Sequence, residues 1–305
     1  MIPNLDSFIL TFGISGPSCS GKTTLALMLN KYFRNSVILY KDNYYKTPSI
    51  KSISGTINDD KYIQIHHASG YKDYDSPNSF DSVKMEEDIK CIQKDWSKVS
   101  IFSDLSSTSS TWAIRDLSKI EEIVNNIKAS DTGQYKKFSK NQKVLIVEGI
   151  FLFEDNTPHS FVSLFDIRVF LTLELQSSLN RRTSRIDIID DLNNSLFWQD
   201  PPNYFNLVSW PNYIFYSKKI LSSISKSNIV TDKAIDKNKN EFEKITASNQ
   251  SSENCVEEIY NKENQNEFVF LGEKFLVFDS ELLTSEEIFT KTLKSFFHLN
   301  KNKIQ

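Results

Sequence analysis

One octapeptide restricts this chain more than anything else in it. Gly16-Pro17-Ser18-Cys19-Ser20-Gly21-Lys22-Thr23 matches G-x-x-x-x-G-K-[ST]. The glycines let the backbone turn so that successive N–H groups point inward at phosphate oxygens, and the helix that follows adds the positive end of its dipole. Lys22 is placed to bridge the β- and γ-phosphates and the Thr23 hydroxyl to ligate Mg²⁺. By average composition the bare pattern arises by chance in roughly one chain of this length in a hundred. Here it also has the required context, because the apolar run Phe8 to Ile14 reads as a buried strand and TTLALMLNKYF as a helix.

A strand, a phosphate loop and a helix predict an α/β fold, and the rest of the chain continues the alternation. Val37 to Tyr40 (VILY) closes a βαβ unit, Lys143 to Val147 and Asp166 to Leu173 read as further strands, and Lys274 to Phe278 as the last one. Asp81 to Trp96 and Thr284 to Phe297 read as helices, the second with a Thr-x-x-Glu start signal. The expected fold is a P-loop NTPase-type three-layer α/β/α sandwich with a mostly parallel sheet and a lid. Ser222 to Glu267 is dominated by Ser, Asn, Lys, Glu and Gln and reads as a disordered insertion; residues 48–70 form a smaller polar one. Structure resumes after both, so residues 1–305 read as one domain.

Composition narrows the partners. Lys+Arg 36 against Asp+Glu 39 gives a net charge of -3, which provides no global basic field for nucleic acid. Cys19, Cys91 and Cys255 are odd in number and widely spaced, which argues against a disulfide framework or a structural zinc site. The N-terminus has no basic region ahead of its apolar stretch, and no apolar run is long enough to span a bilayer. A cytoplasmic protein is expected, with the nucleus open as a second compartment.

The remaining residues choose among phosphate-loop proteins. No N-K-x-D stands where a GTPase would read guanine, and the strand KVLIV ends on a single acid, Glu148, placed to hold Mg²⁺ or its water. Asp42 follows the second strand directly, at the sheet edge where ligands bind in such folds, and is the candidate general base for an acceptor hydroxyl. Arg181-Arg182-Thr183-Ser184-Arg185 follows the strand that ends at Leu173 and can close over phosphates. The alternatives are a turn aspartate, a surface glutamate and a solvated basic helix face.

Together GISGPSCSGKTTLA, KDNYYK, YDSP, VEGIFLF, RRTSR and DPPNYF resemble the nicotinamide riboside kinases, within the uridine-kinase-like P-loop kinases. The resemblance implies transfer of the ATP γ-phosphate to the 5′-hydroxyl of nicotinamide riboside in NAD salvage, nicotinic acid riboside being a second acceptor. It implies catalytic roles for Asp42, Lys22 and Arg182, and Mg²⁺ on Thr23 and Glu148. The implied nucleotide set is Gly16, Ser18, Ser20, Gly21, Lys22, Thr23 and Thr24 with Arg182 and Arg185. Asp42, Tyr74 and Asp75 would meet the riboside, Asp75 clamping the ribose and Tyr74 stacking on the cationic ring. Two departures stand out. Ile186 to Asp191 replaces an expected second aromatic, leaving Tyr204 or Phe197 for the ring, and Asn43 replaces a second acid. A uridine or cytidine kinase and a non-catalytic ATP-binding regulator are the competing readings.

Overall fold

A computed structural model of the chain describes residues 8–46, 63–102, 117–130, 142–190, 200–226 and 267–304. Its centre is a six-stranded sheet in the order β2-β3-β1-β4-β6-β5. The strands are β1 (Ile9–Ser15), β2 (Asn35–Tyr40), β3 (Lys143–Glu148), β4 (Ile167–Thr172), β5 (Glu267–Phe270) and β6 (Glu273–Asp279). All neighbours run parallel except the β5–β6 pair, which is antiparallel at one edge. Strands buried on both faces must be apolar almost throughout. FILTFGI and KVLIV, read as strands on that ground, are β1 and β3.

Helices cover both faces and make the three layers. On one face α1 (Lys22–Tyr32), α4 (Leu117–Ser130) and α9 (Ser285–Ile304) seat Leu25, Leu29, Val124, Phe289 and Phe296 against Phe12, Ile14, Ile146 and Val169. On the other, α2 (Ser82–Lys94), α7 (Trp210–Tyr216) and α8 (Lys218–Lys226) bring Ile89, Ile92, Trp210 and Ile224 against Leu145, Val147, Phe170 and Val277. Each such side chain contributes roughly 1.5–3 kcal/mol on burial. Two shorter helices, α3 (Val99–Phe102) and α5 (His159–Val162), and the arginine-bearing α6 (Leu175–Asp190) complete the described set. The start signal of α9 is a reciprocal capping box: Glu287 N–H donates to Thr284 Oγ1 at 3.2 Å and Thr284 N–H to Glu287 Oε2 at 2.8 Å.

Two boundaries drawn from composition move. Helix α8 runs through Ser222 to Lys226 with Ile224 fully buried, so a polar segment starting at Ser222 begins inside a packed helix. Its apolar residues fall at helical spacing, a pattern masked by the serines between them. Residues 227–266 of the proposed insertion, and 48–62 of the smaller one, lie outside the described residues. Within the latter's end, Ile65 bridges Lys72 in antiparallel fashion. Strand β5 escapes sequence reading because its hairpin turn is Leu271-Gly272, with φ of 53° and 73°. Two positive φ values make the tight turn a hairpin needs, but leucine is an unusual residue to supply one.

The strand order fixes where a ligand can sit. Beyond β1 the chain first builds β2 and β3 on one side, then β4 and β6 on the other. The carboxyl end of β1 is therefore the topological switch point, and the crevice there is the binding position of such sheets.

Candidate active site

The phosphate loop leaves β1 at that switch point. Gly16 has φ +148°, and a Cβ there would lie 2.4 Å from the Leu171 carbonyl oxygen of β4, so the loop can cross the sheet edge only without a side chain. Gly21 is the N-cap of α1 at φ 94°, which leaves the first-turn N–H groups of α1 turned toward the loop. Lys22 is buried and its Nζ donates to the Pro17 carbonyl at 2.6 Å, closing the loop over its own mouth. Ser20 carries a buried hydroxyl with no partner among the described residues, and its carbonyl accepts from Ser280 Oγ at 2.8 Å. Ser18 and Thr24 are half-buried on the loop and on α1.

The two residues assigned to a cation meet. Thr23 Oγ1 donates to Glu148 Oε1 at 2.9 Å, across a gap of 125 residues, because Glu148 ends β3 beside Ile14 of β1. A hydroxyl and a carboxylate are the hard oxygen donors Mg²⁺ takes, and that ion usually keeps several waters and phosphate oxygens besides one or two protein ligands. Among the described residues no three His, Cys, Asp or Glu side chains gather as an all-protein cage. Thr23 and Glu148 supply a hydroxyl and a carboxylate that could hold such an ion.

Register also sets the base candidate. Tyr40 of β2 pairs with Glu148, and the chain leaves β2 in a single 3₁₀ turn, Lys41–Tyr44, that lifts Asp42 to the surface at the same edge. The turn is pinned by Lys41, which is 3% exposed. Its Nζ donates to the Phe151 carbonyl at 2.7 Å and sits 4.9 Å from the centroid of the Phe80 ring. Burial pulls the Lys41 ammonium down to about 7, against the opposing pull of Glu154 and Asp42. Gly149 makes room for it: a Cβ there would lie 2.2 Å from Lys41 Cβ. Asp42 and Glu148 thus stand on two segments locked together by a buried lysine.

The third wall comes from α6 and the segment after Asp200. Ser178 Oγ of α6 donates to the Ser18 carbonyl at 2.7 Å, seating the helix on the loop. Arg182 donates to both oxygens of Asp200 at 2.6 and 2.7 Å and to Ser18 Oγ at 3.0 Å, and lies 3.6 Å from Asp75 Oδ2. Burial opposes its charge, but Asp75 and Asp200 outweigh that and push the guanidinium further up. Arg181 ties the Cys19 carbonyl (3.4 Å) to that of Ser280 (3.0 Å). Arg185 lies on the same helix, but its side chain is outside the described residues. Asp75 lines a cleft with Pro17, Ser18, Ile150, Phe151, Phe205 and Trp210. Tyr74 is half-buried beside it and its backbone N–H donates to Tyr204 Oη at 2.9 Å.

A family model described as the phosphoribulokinase/uridine kinase family matches residues 11–190, more than half of the chain. The chain belongs to that family. Its curated relatives include the nicotinamide riboside kinase of Schizosaccharomyces pombe, 26% identical over 225 residues, 74% of this chain and 84% of that protein. Nicotinamide riboside kinase 1 of Homo sapiens is 26% identical over 218 residues, 71% of this chain and 79% of that protein. The nicotinamide riboside kinase of Saccharomyces cerevisiae is 22% identical over 208 residues, 67% and 76% of the two chains. A solved structure of a possible uridine kinase from Bacillus stearothermophilus aligns over 63% of this chain and 89% of its own at 15% identity, with a TM-score of 0.26. That score is too low to bear on the fold, which rests on the sheet and the family match.

As a member of a family of P-loop kinases, the protein uses a nucleotide and a small acceptor, and the described residues contain no helix long and apolar enough to cross a membrane. Several of its site groups were not foreseen. Tyr45 stacks against Phe80 with centroids 4.3 Å apart, and burial, then Asp42 and Asp75, push its phenol well up, so its hydroxyl lies in the field of both acids. Lys41 and Asp200 were also missed, because their roles depend on partners far away in sequence. Tyr204, a candidate for the second ring aromatic, is 1% exposed and is occupied as the anchor of Tyr74; Phe197 lies outside the described residues.

Proposed function

We propose that the protein transfers the γ-phosphoryl group of ATP to the 5′-hydroxyl of nicotinamide riboside, giving the mononucleotide in NAD salvage. The observation that carries this reading is the convergence of Asp42, the Thr23–Glu148 pair and the Asp75–Arg182 wall on one sheet edge beside the phosphate loop. The relatives' identity as nicotinamide riboside kinases supports the choice of riboside, as do KDNYYK and YDSP.

In this reading the loop N–H groups and Lys22 hold the donor phosphates. Asp42 accepts the proton of the 5′-hydroxyl as it attacks, and Arg182 neutralises charge that develops on the transferred group. Thr23 and Glu148 would hold Mg²⁺, which would offset phosphate charge. Asp75 orients the ribose, and Tyr74 offers its face to a cationic ring. The regulator reading has no use for a base at Asp42, and it is the weakest of the three. The cytoplasm, where ATP is plentiful, is the proposed compartment.

The test is ADP release at fixed Mg-ATP with nicotinamide riboside, nicotinic acid riboside, uridine and cytidine as acceptors. Fastest turnover is expected with nicotinamide riboside. Turnover of uridine without nicotinamide riboside would make the protein a pyrimidine riboside kinase instead.

A further inference from the structure

The geometry points to Ser209 as a positioning residue that holds the Asp75 carboxylate open for the acceptor's sugar hydroxyls; the inference rests on the riboside reading above. Asp75 and Ser209 are both buried, 8% and 6% exposed. The Ser209 hydroxyl donates to Asp75 Oδ2. The same oxygen lies 3.6 Å from Arg182 NH2, too far for a hydrogen bond but close enough for strong attraction. An aspartate and an arginine so placed would ordinarily close into a two-pronged pair, the favoured geometry for these groups. Here both are restrained. Asp200 takes two guanidinium N–H groups of Arg182, and Ser209 holds Oδ2 of Asp75 from the other side. No described residue donates to Oδ1 of Asp75, which leaves that oxygen for a ligand hydroxyl.

The backbone around Ser209 is built for this. Phe205–Ser209 is a π-helical turn, in which Trp210 N–H reaches back to the Phe205 carbonyl. An i→i+5 turn stacks residues five apart, and such turns often occur at functional sites. It puts Tyr204 and Ser209 on the face that meets residues 73–75. Tyr204 Oη accepts from Tyr74 N–H at 2.9 Å. One turn on, Asn212 Nδ2 donates to both Asp73 oxygens at 2.9 and 3.0 Å and to the Asp75 carbonyl at 2.9 Å. Backbone and carboxylate of the 73–75 segment are thus set by one element, with Ser209 the member that touches the Asp75 side chain.

Removing the hydroxyl should let Asp75 fall onto Arg182. The measurement is steady-state kinetics of Ser209→Ala and Ser209→Thr, using whichever riboside the wild-type protein turns over fastest and its 2′-deoxy and 3′-deoxy forms. Ser209→Ala should raise KM for the riboside about tenfold, leave KM for ATP within twofold, and shrink the penalty for a missing sugar hydroxyl; Ser209→Thr should restore all three. If the alanine variant folds poorly, the isosteric pair Ser209→Thr and Ser209→Val makes the same comparison. An unchanged riboside KM, or an unchanged deoxy penalty, in an otherwise active variant overturns the positioning role alone. Absence of turnover with every riboside in the wild-type protein overturns the riboside reading and this inference with it.

Discussion

In the proposed function the crevice has a donor side and an acceptor side, and the two are built in opposite ways. The phosphate loop is one stretch, residues 16–23, whose shape follows from its own glycines and the helix it opens. The acceptor wall takes Asp42 from the turn after β2, Asp75 from the bend before Pro77, Arg182 from α6 and Ser209 from a π turn. A local motif can be read wherever it occurs. A wall made from four distant segments exists only after the sheet has formed, and its parts are held by bonds between them. The donor side should therefore respond to single lesions in chemistry, and the acceptor side in both chemistry and geometry.

The largest loss is expected on the donor side. Lys22→Ala should lower kcat by at least about 10²–10³-fold with every acceptor. The melting temperature should stay near that of the wild type, since the Nζ bond to the Pro17 carbonyl lies within the loop itself. ADP release and thermal melts check both. Retained turnover would mean that the loop is not where the phosphates sit.

Lys41 tests whether the acceptor side is stitched through the interior. Its ammonium is near 7 in the folded chain and 10.5 ordinarily. Between those values the unfolded chain binds the proton and the folded chain does not. Its contribution to stability therefore rises with pH across that window, by up to about 1.4 kcal/mol per unit, and falls away as pH drops toward 7. Lys41→Met keeps the stem over Gly149 and removes the charge. Denaturant melts at pH 7 and 9.5 should show the wild type gaining stability relative to this variant. A constant difference would mean that Lys41 does not titrate there.

The smallest effect is expected from the polar segment between α8 and β5. Replacing residues 228–265 with a short linker leaves α8 and β5 intact and removes only the polar segment, so activity and melting temperature should change little. A large loss of either would show that this segment takes part in the fold or the site.

How much of this was legible follows the same division. The phosphate loop, the strands around it and Glu148 were readable because apolar runs and glycine spacing are local signals, and Thr23–Glu148 contact follows from strand pairing. Asp42 was placed by the rule that ligands sit at strand ends. Lys41 was not, because a lysine in KDNYYK reads as solvated until Gly149 and Phe80 are seen to enclose it. Ser209 and Asn212 look like ordinary polar helix residues, and the π turn is what brings Ser209 to the same face as Tyr204. Strand β5 was hidden by the leucine in its turn.

In the proposed function Asp42 is the group at which donor and acceptor meet. The most direct test is kcat of Asp42→Asn at saturating nicotinamide riboside and Mg-ATP. The substitution keeps size and hydrogen bonding but removes proton acceptance, so kcat should fall by about 10²–10⁴-fold while ATP affinity and melting temperature hold. A near wild-type kcat would contradict the assignment of Asp42 as base and leave Glu148 as the next acid to examine.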